Sequence, residues 1–380
     1  MRLAVYCDYS YRVHDGKVFA ELPFGVFLRE LATHCERLVV TGRLDPSPGR
    51  YPYVMTGVDY VPLPHYESGA QTRSVIRTIP TAVKRFWRLL DDVDVAWILG
   101  PNPPQAFVFA ALAKVRRRRL VLGVRQNLPE LISHRHRDKP MVRFAAVALE
   151  MAFRLLARRS AVVVVGADLA RRYHAAGELH VAYVSLLSEQ DILAAREDQR
   201  DYDGDELRIL SVGRLDPEKN PLLLADILER ALRRDHRWRL HICGDGSLTS
   251  ALQRRLRDLK VGDRAVFHGH VPIDDGLLQL YRTSHALLHV SLTEGVPQVL
   301  LEAFAARLPV VATAVGGVPE VVQGRGQLVA PADADAAAGA LDRLRGDAEL
   351  RATLVEHAAS FARDHTLQAE CTRLASFLAR

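Results

Sequence analysis

Short apolar runs alternate with amphipathic stretches along most of the 380-residue chain. In the first half, this alternation is typical of a parallel β-sheet that helices cover on both faces. Buried strands are predicted over 2–7, 37–41, 58–63, 93–99, 119–124 and 161–166, and helices between them over about 23–35, 75–91, 103–115 and 140–159.

The pattern stops at a polar, charged stretch and then begins again. Residues 188–206 contain few strand formers, and we predict a linker over 191–206. Further strands are predicted over 207–213, 238–244, 264–269, 285–291 and 309–314, with helices over about 221–234, 249–260, 274–282 and 297–306.

The repeated alternation predicts two doubly wound, Rossmann-like α/β domains that face each other across a cleft. The first domain is expected over 1–190 and the second over 207–362. Beyond residue 335 the chain is predicted to be helical. Its last part, 363–380, either packs on the second domain or crosses back to the first.

Composition is that of a globular protein, with 48% hydrophobic and 25% charged residues. The four cysteines lie far apart, which disfavours a disulfide framework and a cysteine zinc site and fits a reducing cytosol. The opening apolar run meets Asp8 at once, so we expect no signal peptide. A cytoplasmic location follows as the expectation.

Positive charge is concentrated in the first half. Residues 101–150 hold 10 basic and 3 acidic side chains, within a chain whose net charge is +6. Either this is an ordinary solvated face, or it attracts an anionic lipid surface, a phosphorylated substrate or nucleic acid. Nucleic acid is disfavoured because no aromatic residues interleave with the cations and no recognition motif is present. Peripheral contact with the inner face of a membrane stays open. The cations are Lys114, Arg116 to Arg119, Arg125, Arg135, Arg137, Lys139 and Arg143.

Segment 141–157 is the most apolar helix candidate. It is too short to span a bilayer and carries Arg143, Glu150 and Arg154. Two interpretations are open. One is a core helix with a narrow polar stripe, and the other is an interfacial helix beside the basic residues.

Ligands of open parallel sheets bind beyond the carboxyl ends of the strands. The first such strand exit in the second half contains Gly213, Arg214 and Lys219. Two cations in one loop suit a diphosphate that carries negative charge as it leaves. The alternative is that they pair with Asp216 and Glu218 at the surface. The next exit, CGDGSL at 243–248, contains Gly244 in a tight turn and is a weaker signal by itself.

A third strand exit carries two carboxylates eight residues apart. Glu294 lies in the loop, and Glu302 lies about two turns inside the following helix, on an otherwise apolar face. The amides of Gly295 to Gln298 would point out of that helix's N-terminus and form an anion site without a metal. A buried carboxylate such as Glu302 needs donors, for which hydroxyl groups are suitable.

These stretches, in order and spacing, resemble retaining glycosyltransferases of the GT-B fold. The sequences that carry the resemblance are SVGRLDPEKNP, CGDGSL, VFHGHVP and EGVPQVLLEAFAARLPVVATAVGGVPEVV, within residues 207–330. They are similar to the family that uses the E-x7-E motif, glycosyltransferase family four. The first half matches in architecture alone.

The resemblance implies a role for each matching residue. Arg214 and Lys219 would bind the diphosphate and stabilise it as leaving group, and Glu294 would hold the donor sugar; these three are the expected catalytic residues. Glu302 would accept hydrogen bonds from the ribose. The expected donor site comprises Gly213, Arg214, Lys219, Gly244, Val271, Glu294, Gly295, Val296, Pro297, Gln298, Val299 and Glu302.

The resemblance also implies that no cofactor and no metal are required. The co-substrate would be a nucleotide-diphosphate sugar, with UDP or GDP as the nucleotide. Substitution would proceed on the front face with retention, and the departing phosphate oxygen would take the acceptor's proton.

The first half departs from the family's pattern at two places. Residues 8–19 contain a single glycine, Gly16, where many members have a Gly-Gly loop. Arg125, Gln126 and Asn127 follow the strand after which many members carry a histidine. These four residues are tentative members of a cleft site in the first domain. His134 and His136 are expected at the surface or on an acceptor phosphate rather than on a metal.

The sequence therefore predicts a transferase that moves a sugar to an acceptor held by the first half. A lipid-linked or phosphorylated acceptor, in polysaccharide, glycolipid or other glycoconjugate synthesis, fits the basic charge. The alternatives are a sugar synthase or phosphorylase with a small sugar acceptor, and a catalytically silent nucleotide-sugar-binding module. A NAD-dependent dehydrogenase is disfavoured, since no G-x-G-x-x-G follows the first strand.

Overall fold

The computed structural model describes residues 1–66, 72–101, 105–136, 138–193 and 200–380. The chain divides into two compact α/β units. The first unit comprises Met1–Pro129, Asp138–Leu186 and Leu367–Arg380. The second unit comprises Glu130–Arg137 and Leu187–Thr366. Residue 137, part of the predicted basic tract, lies outside the described residues.

The first unit is built on a sheet with a long parallel part. Its parallel strands lie in the order β5-β3-β1-β6-β7-β8-β9, while β2 pairs antiparallel with β1 and β4 pairs antiparallel with β2. The strands are β1 Arg2–His14, β2 Lys17–Ala20, β3 Arg37–Leu44, β4 Tyr53–Val54, β5 Asp59–Leu63, β6 Val95–Gly100, β7 Arg119–Val124, β8 Ala161–Val165 and β9 Glu178–Ala182.

Helices connect these strands, as the alternating pattern predicts. Buried apolar side chains of several of these helices and strands form a hydrophobic core, which fixes the sheet register. The helices are α1 Phe24–Ala32, α2 Thr72–Leu89, α3 Gln105–Val115, α4 Leu128–Arg135, α5 Pro140–Ala157 and α6 Ala167–Arg172. Most of α4 belongs to the second unit.

The region after the first predicted strand is a hairpin rather than a loop. Strand β1 continues to His14 and turns back through Asp15 and Gly16 into β2, with Tyr11 opposite Ala20. Both turn residues have positive φ, 49° and 69°, as a two-residue hairpin turn requires. The alternating apolar residues of 9–13 and the Asp-Gly pair are the sequence signal for this hairpin.

The second unit has a fully parallel sheet in the order β12-β11-β10-β13-β14-β15. This is the Rossmann order, which reverses direction between β10 and β13 and places a ligand site at their carboxyl ends. The strands are β10 Leu207–Val212, β11 Trp238–Cys243, β12 Ala265–Gly269, β13 Ala286–His289, β14 Val310–Thr313 and β15 Gln327–Val329.

The helices of the second unit follow the predicted segments. Short 3-10 turns at Pro217–Lys219 and Gly262–Arg264 and a π-turn at Ile273–Leu277 complete the connections. The helices are α7 Glu189–Leu193, α8 Leu222–Arg234, α9 Thr249–Asp258, α10 Leu278–Thr283, α11 Gln298–Ala305, α12 Val318–Val322, α13 Ala334–Gly346 and α14 Ala348–Asp364.

As far as it lies within the described residues, the segment predicted as a linker over 191–206 is part of the second unit. Arg200 donates to four backbone carbonyl oxygens of the second unit, among them those of Ala306 at 2.9 Å and Arg307 at 3.0 Å. Tyr202 is buried and donates its hydroxyl to the carbonyl oxygen of His285 at 2.8 Å. These hydrogen bonds make the segment part of the second unit. Residues 194–199 lie outside the described residues.

The last helix, α15 Leu367–Leu378, belongs to the first unit. Its Cys371 thiol lies 3.6 Å from the carbonyl oxygen of Phe27, and the Phe377 ring stacks on His180 with 5.0 Å between centroids. The buried Glu370 accepts a hydrogen bond from the amide of Tyr183 at 3.1 Å. The chain thus returns to the first unit at Leu367, four residues later than the predicted start of that segment.

The core interpretation of segment 141–157 is wrong for most of helix α5. Ala146, Glu150, Phe153 and Ala157 form its buried face, whereas most of the remaining helix surface is exposed. In the described part of the chain, no helix combines the length and apolar character needed to cross a bilayer.

Candidate functional site

The site begins at the carboxyl ends of β10 and β11. Two glycines there allow the backbones of the two strand exits to approach each other closely. The amide of Gly213 donates to the carbonyl oxygen of Cys243 at 2.9 Å. A Cβ on Gly244 would lie 2.1 Å from the carbonyl oxygen of Gly213, and the φ of Gly244 is +132°. The predicted Gly213 and Gly244 therefore lie side by side at the carboxyl edge of the sheet, and a side chain on Gly244 would separate them.

Lys219 and Glu294 meet at this edge. The Lys219 Nζ donates to Glu294 Oε1 at 2.5 Å, although 75 residues separate them in the sequence. Lys219 follows β10 and Glu294 follows β13, so the contact lies at the reversal of strand order. A recess of about 280 Å³ is lined by Gly213, Arg214, Lys219, His289 and Ser291, among others.

Two further polar groups hold the Glu294 carboxylate. Ser291 Oγ donates to Glu294 Oε1 at 2.6 Å, and His289 Nε2 lies 3.0 Å from the same oxygen. Thr313 fixes the strand exit by donating to the carbonyl oxygen of Ser291 at 2.7 Å. Burial alone would raise the pKa of Glu294, but the Lys219 charge and the His289 hydrogen bond outweigh it and hold the pKa well below its usual range. The carboxylate is therefore ionised at neutral pH.

A glycine pair supports the Glu294 loop from the next strand exit. A Cβ on Gly316 would lie 2.0 Å from the carbonyl oxygen of Glu294, and one on Gly317 would lie 2.4 Å from that of Gly295. The Gly317 amide donates to the Gly295 carbonyl oxygen at 3.1 Å. The loop that carries Glu294 thus packs directly against the backbone of Gly316 and Gly317.

Arg214 lies in an ion-pair network. Its guanidinium contacts Asp216 Oδ2 at 2.5 Å and Glu218 Oε1 at 2.7 Å, which is the pairing that the sequence left as an alternative. Glu218 is 1% exposed and also accepts from Arg135 at 2.5 Å. Burial raises the pKa of Glu218, but the Arg135 hydrogen bond and the two positive charges lower it on balance. Arg135 and Arg214 thus converge on one ionised carboxylate.

Glu302 is buried on helix α11 and finds the hydroxyl partner that its position requires. The Tyr281 hydroxyl donates to Glu302 Oε2 at 2.7 Å, and Tyr281 is itself fully buried. Burial raises the pKa of Glu302 to about 7, and the Tyr281 hydrogen bond partly offsets the rise. Half-buried Val271 follows β12 in the loop that leads to the π-turn.

The N-terminus of α11 comes directly after Glu294. Gly295, Val296 and Pro297 are buried, and Pro297 precedes the first helical residue with extended backbone. Gln298 and Val299 form the half-buried first turn. In the described part of the chain, the side-chain amide nitrogen of Gln298 is buried without a hydrogen-bond partner. The structure thus places these predicted donor residues at the exit of β13, next to Glu294 and its contact with Lys219.

The tentative residues of the first unit lie at two places in its fold, after β7 and at the β1–β2 turn. Arg125 stacks on the Phe24 ring with 4.6 Å to its centroid and donates to the Tyr9 hydroxyl at 2.5 Å. Gln126 is exposed and Asn127 is half-buried at the exit of β7. Gly16 lies at the exposed tip of the β1–β2 hairpin.

Sequence reasoning missed several partners in this site. Tyr281 and Arg135 come from segments distant from their partners Glu302 and Glu218, so spacing carries no signal for these contacts. His289 and Ser291 were identifiable in principle, because both are polar residues at the exit of a buried strand.

The family comparison covers the part of the chain that contains this site. Residues 195–361 match the family model described as glycosyl transferases group 1. An uncharacterized glycosyltransferase of Methanocaldococcus jannaschii is 35% identical over 156 residues, which are 40% of this chain and 40% of that protein. The D-inositol 3-phosphate glycosyltransferase of Corynebacterium efficiens is 35% identical over 173 residues, 43% of this chain and 41% of that protein. The matches thus span about two fifths of these relatives.

Solved structures match over the whole chain. HepE of Anabaena, in complex with UDP and glucose, superposes with a TM-score of 0.71 at 18% identity and covers 100% of this chain and 99% of its own. Sucrose-phosphate synthase of Thermosynechococcus elongatus gives 0.73 at 18% identity, with 99% and 98% covered. At these identities the likeness shows the fold. The chain therefore has the fold of these structures, the GT-B fold, and its residues 195–361 are similar to the group 1 glycosyl transferases.

Proposed function

We propose that the protein is a retaining glycosyltransferase that needs no metal and uses a UDP- or GDP-sugar as donor. The observation that carries this proposal is the contact between Lys219 and Glu294 at the reversal of strand order, beside the N-terminus of α11. One site there offers a cation for a diphosphate and an ionised carboxylate for sugar hydroxyls. The UDP complex of HepE favours UDP as the nucleotide.

In the proposed reaction, the bond between the anomeric carbon and the diphosphate oxygen breaks. The acceptor's hydroxyl oxygen forms the new bond on the same face of the sugar. Its proton passes to the departing phosphate oxygen, so no side-chain base is required. Lys219, Arg214 and the amides at the start of α11 stabilise the negative charge on the leaving diphosphate.

The remaining site residues hold the donor. Glu294 accepts hydrogen bonds from sugar hydroxyls, for which its ionised state suits it. Glu302 accepts from the ribose, replacing or sharing its hydrogen bond with Tyr281. Gly213 and Gly244 allow close approach of the diphosphate to backbone amides, and Val271 meets the base through its backbone.

The first unit is proposed to hold the acceptor, which is lipid-linked or phosphorylated. The product would belong to polysaccharide, glycolipid or other glycoconjugate synthesis. A sugar synthase with a small sugar acceptor is the second candidate, because sucrose-phosphate synthase is among the proteins with this fold.

The test begins with UDP, GDP, ADP and TDP and their sugar conjugates in a thermal-shift series without added metal. A ligand at about a hundred times its dissociation constant stabilises by roughly 2.7 kcal/mol. We expect one nucleotide to stand out. Its sugar conjugate is then offered with lipid-linked, phosphorylated and small-sugar acceptors, and the anomeric configuration of the product is determined.

Glu294→Ala separates catalysis from nucleotide binding in this test. We expect transfer to fall by about a hundredfold or more, while the affinity for the nucleoside diphosphate changes little. An inverted product would contradict retention. Nucleotide binding without transfer to any acceptor class would favour the silent binding module.

A further inference from the structure

Helix α5 exposes an unusual apolar stripe on the first unit. Five large side chains recur along it at intervals of three or four residues, so they share one helix face. They are Met141 (84% exposed), Phe144 (76%), Val147 (43%), Met151 (65%) and Leu155 (66%). The small exposed residues Ala145, Ala148 and Ala152 widen the stripe.

The helix itself is firmly anchored on its other face. Phe153 is fully buried and packs edge-to-face on Phe107, with 5.6 Å between ring centroids. Buried Glu150 accepts from the Tyr173 hydroxyl at 3.0 Å and pairs with Arg154 at 3.2 Å. The stripe is therefore a fixed outer surface and not a helix awaiting its own core.

Positive charge surrounds the stripe. Lys139 precedes the helix, Arg143 lies on it, and Arg158 and Arg159 follow it, all of them exposed. Within the described residues, these four cations form no ion pair. The acidic residue of the helix, Glu150, is buried against Tyr173, so the exposed surface of 139–159 carries no negative charge.

The predicted run Arg116 to Arg119 behaves differently. Arg116 pairs with Asp91 and lies over the Trp87 ring, and Arg119 pairs with Glu178. Arg118 donates to the carbonyl oxygen of Leu90. These contacts within the unit account for three of the four arginines, whereas the four cations at α5 have no such partner among the described residues.

We propose that this face of α5 binds the surface of an anionic lipid membrane, with its apolar side chains at the acyl boundary and its cations on lipid phosphates. At about 1.5 Å per residue the helix is long enough to lie flat along the interface. Charge decides between the two main occupants. A second copy of the same helix would bring four cations against four, whereas an anionic bilayer complements both the charge and the apolar stripe.

The test is flotation of the full chain with vesicles of phosphatidylcholine, with and without about 30% phosphatidylglycerol. We expect binding to the anionic vesicles at low salt, at least about tenfold weaker binding without phosphatidylglycerol, and loss of binding at high salt. The assay needs neither donor nor turnover, so its outcome is independent of the proposed transferase activity.

Two sets of variants distinguish the contributions. Phe144→Ser with Met151→Ser should weaken binding to anionic vesicles by about tenfold or more. Arg143→Ala and Arg158→Ala should each weaken it by about fivefold. Val13→Ser and Arg254→Ala alter an exposed apolar residue and an exposed cation elsewhere and should leave it unchanged. Matching unfolding temperatures will confirm that every variant is folded.

The proposal is overturned if the wild-type chain does not float with anionic vesicles at low salt. It is also overturned if Phe144→Ser with Met151→Ser binds as the wild type does. Sedimentation of the wild type as a dimer that the same double substitution dissociates would assign the stripe to a second copy of the chain.

Discussion

At the scale of single residues, three polar groups of the site converge on one carboxylate oxygen. Lys219, Ser291 and His289 all lie within 3.0 Å of Glu294 Oε1. Such convergence keeps a buried carboxylate ionised and fixes its orientation. Because an ammonium group has three N–H donors, Lys219 can bind a diphosphate while it donates to Glu294.

Lys219→Ala is expected to weaken binding of the nucleoside diphosphate by about tenfold or more, because a charge-assisted hydrogen bond is lost. Binding of the corresponding nucleoside should change by less than about twofold, since it has no phosphate. Isothermal titration calorimetry measures both. Arg254→Ala, an exposed cation of α9, is the control. An equal loss for nucleoside and diphosphate would remove Lys219 from the phosphate site.

Glu302 makes stability depend on pH. Burial raises its pKa from 4.5 to about 7. Below pH 4.5 both the folded and the unfolded states hold the proton. Between pH 4.5 and 7 only the unfolded state loses it, so the free energy of unfolding falls as pH rises, by about 3 kcal/mol in total.

Glu302→Gln cannot titrate and should escape this loss. The difference between its free energy of unfolding and that of the wild type should therefore grow in favour of the variant from pH 5 to pH 8. Urea denaturation at several pH values measures both proteins. Parallel curves over that range would show that the Glu302 pKa is not raised.

At the scale of elements, the position of Glu294 depends on how two loops stack. The loop between β13 and α11 carries Glu294, and the turn between β14 and α12 supports it through Gly316 and Gly317. Gly316 has a φ of +50°, so a side chain there is disfavoured by backbone conformation as well as by space. The position of Glu294 is thus set by backbone contact and not by its own side-chain bonds alone.

Gly316→Ala is expected to lower the free energy of unfolding by about 1–3 kcal/mol. Displacement of the Glu294 loop should also reduce kcat by about tenfold or more. Gly339→Ala is the matched control, because that glycine lies within α13 and a Cβ added to it would be 3.7 Å from its nearest neighbour. The control should be neutral or stabilising. Full activity and stability of Gly316→Ala would refute the dependence.

At the scale of the whole molecule, the repeated strand–helix pattern was enough to predict two doubly wound domains. Apolar runs located most strands to within a few residues, because buried parallel strands are almost continuously hydrophobic. Several short elements were not predicted from the sequence. The strands β9 and β15 have mixed polarity, and α4 is a short helix with His134 and Arg135 in its last turn.

The residues of the candidate site were predictable where they follow strands of the second sheet, and their partners from other segments were not. Lys219 and Glu294 were named separately, and the sheet order explains their meeting. The contact of Arg135 with Glu218 joins residues 83 positions apart, from segments with no common pattern. For α5 the sequence left a core helix and an interfacial helix open, because an apolar helix that faces solvent has the same composition as one in a core.

Helix α15 has a consequence for how the chain matures on the ribosome. Residues 367–380 complete the first unit, yet they are synthesised after residues 187–366, which make up nearly all of the second. The first unit therefore cannot be completed, as an amino-terminal domain usually is, before the second has been synthesised. While the second unit emerges from the exit tunnel, the nascent first unit still lacks the cover that Cys371 and Phe377 give to Phe27 and His180.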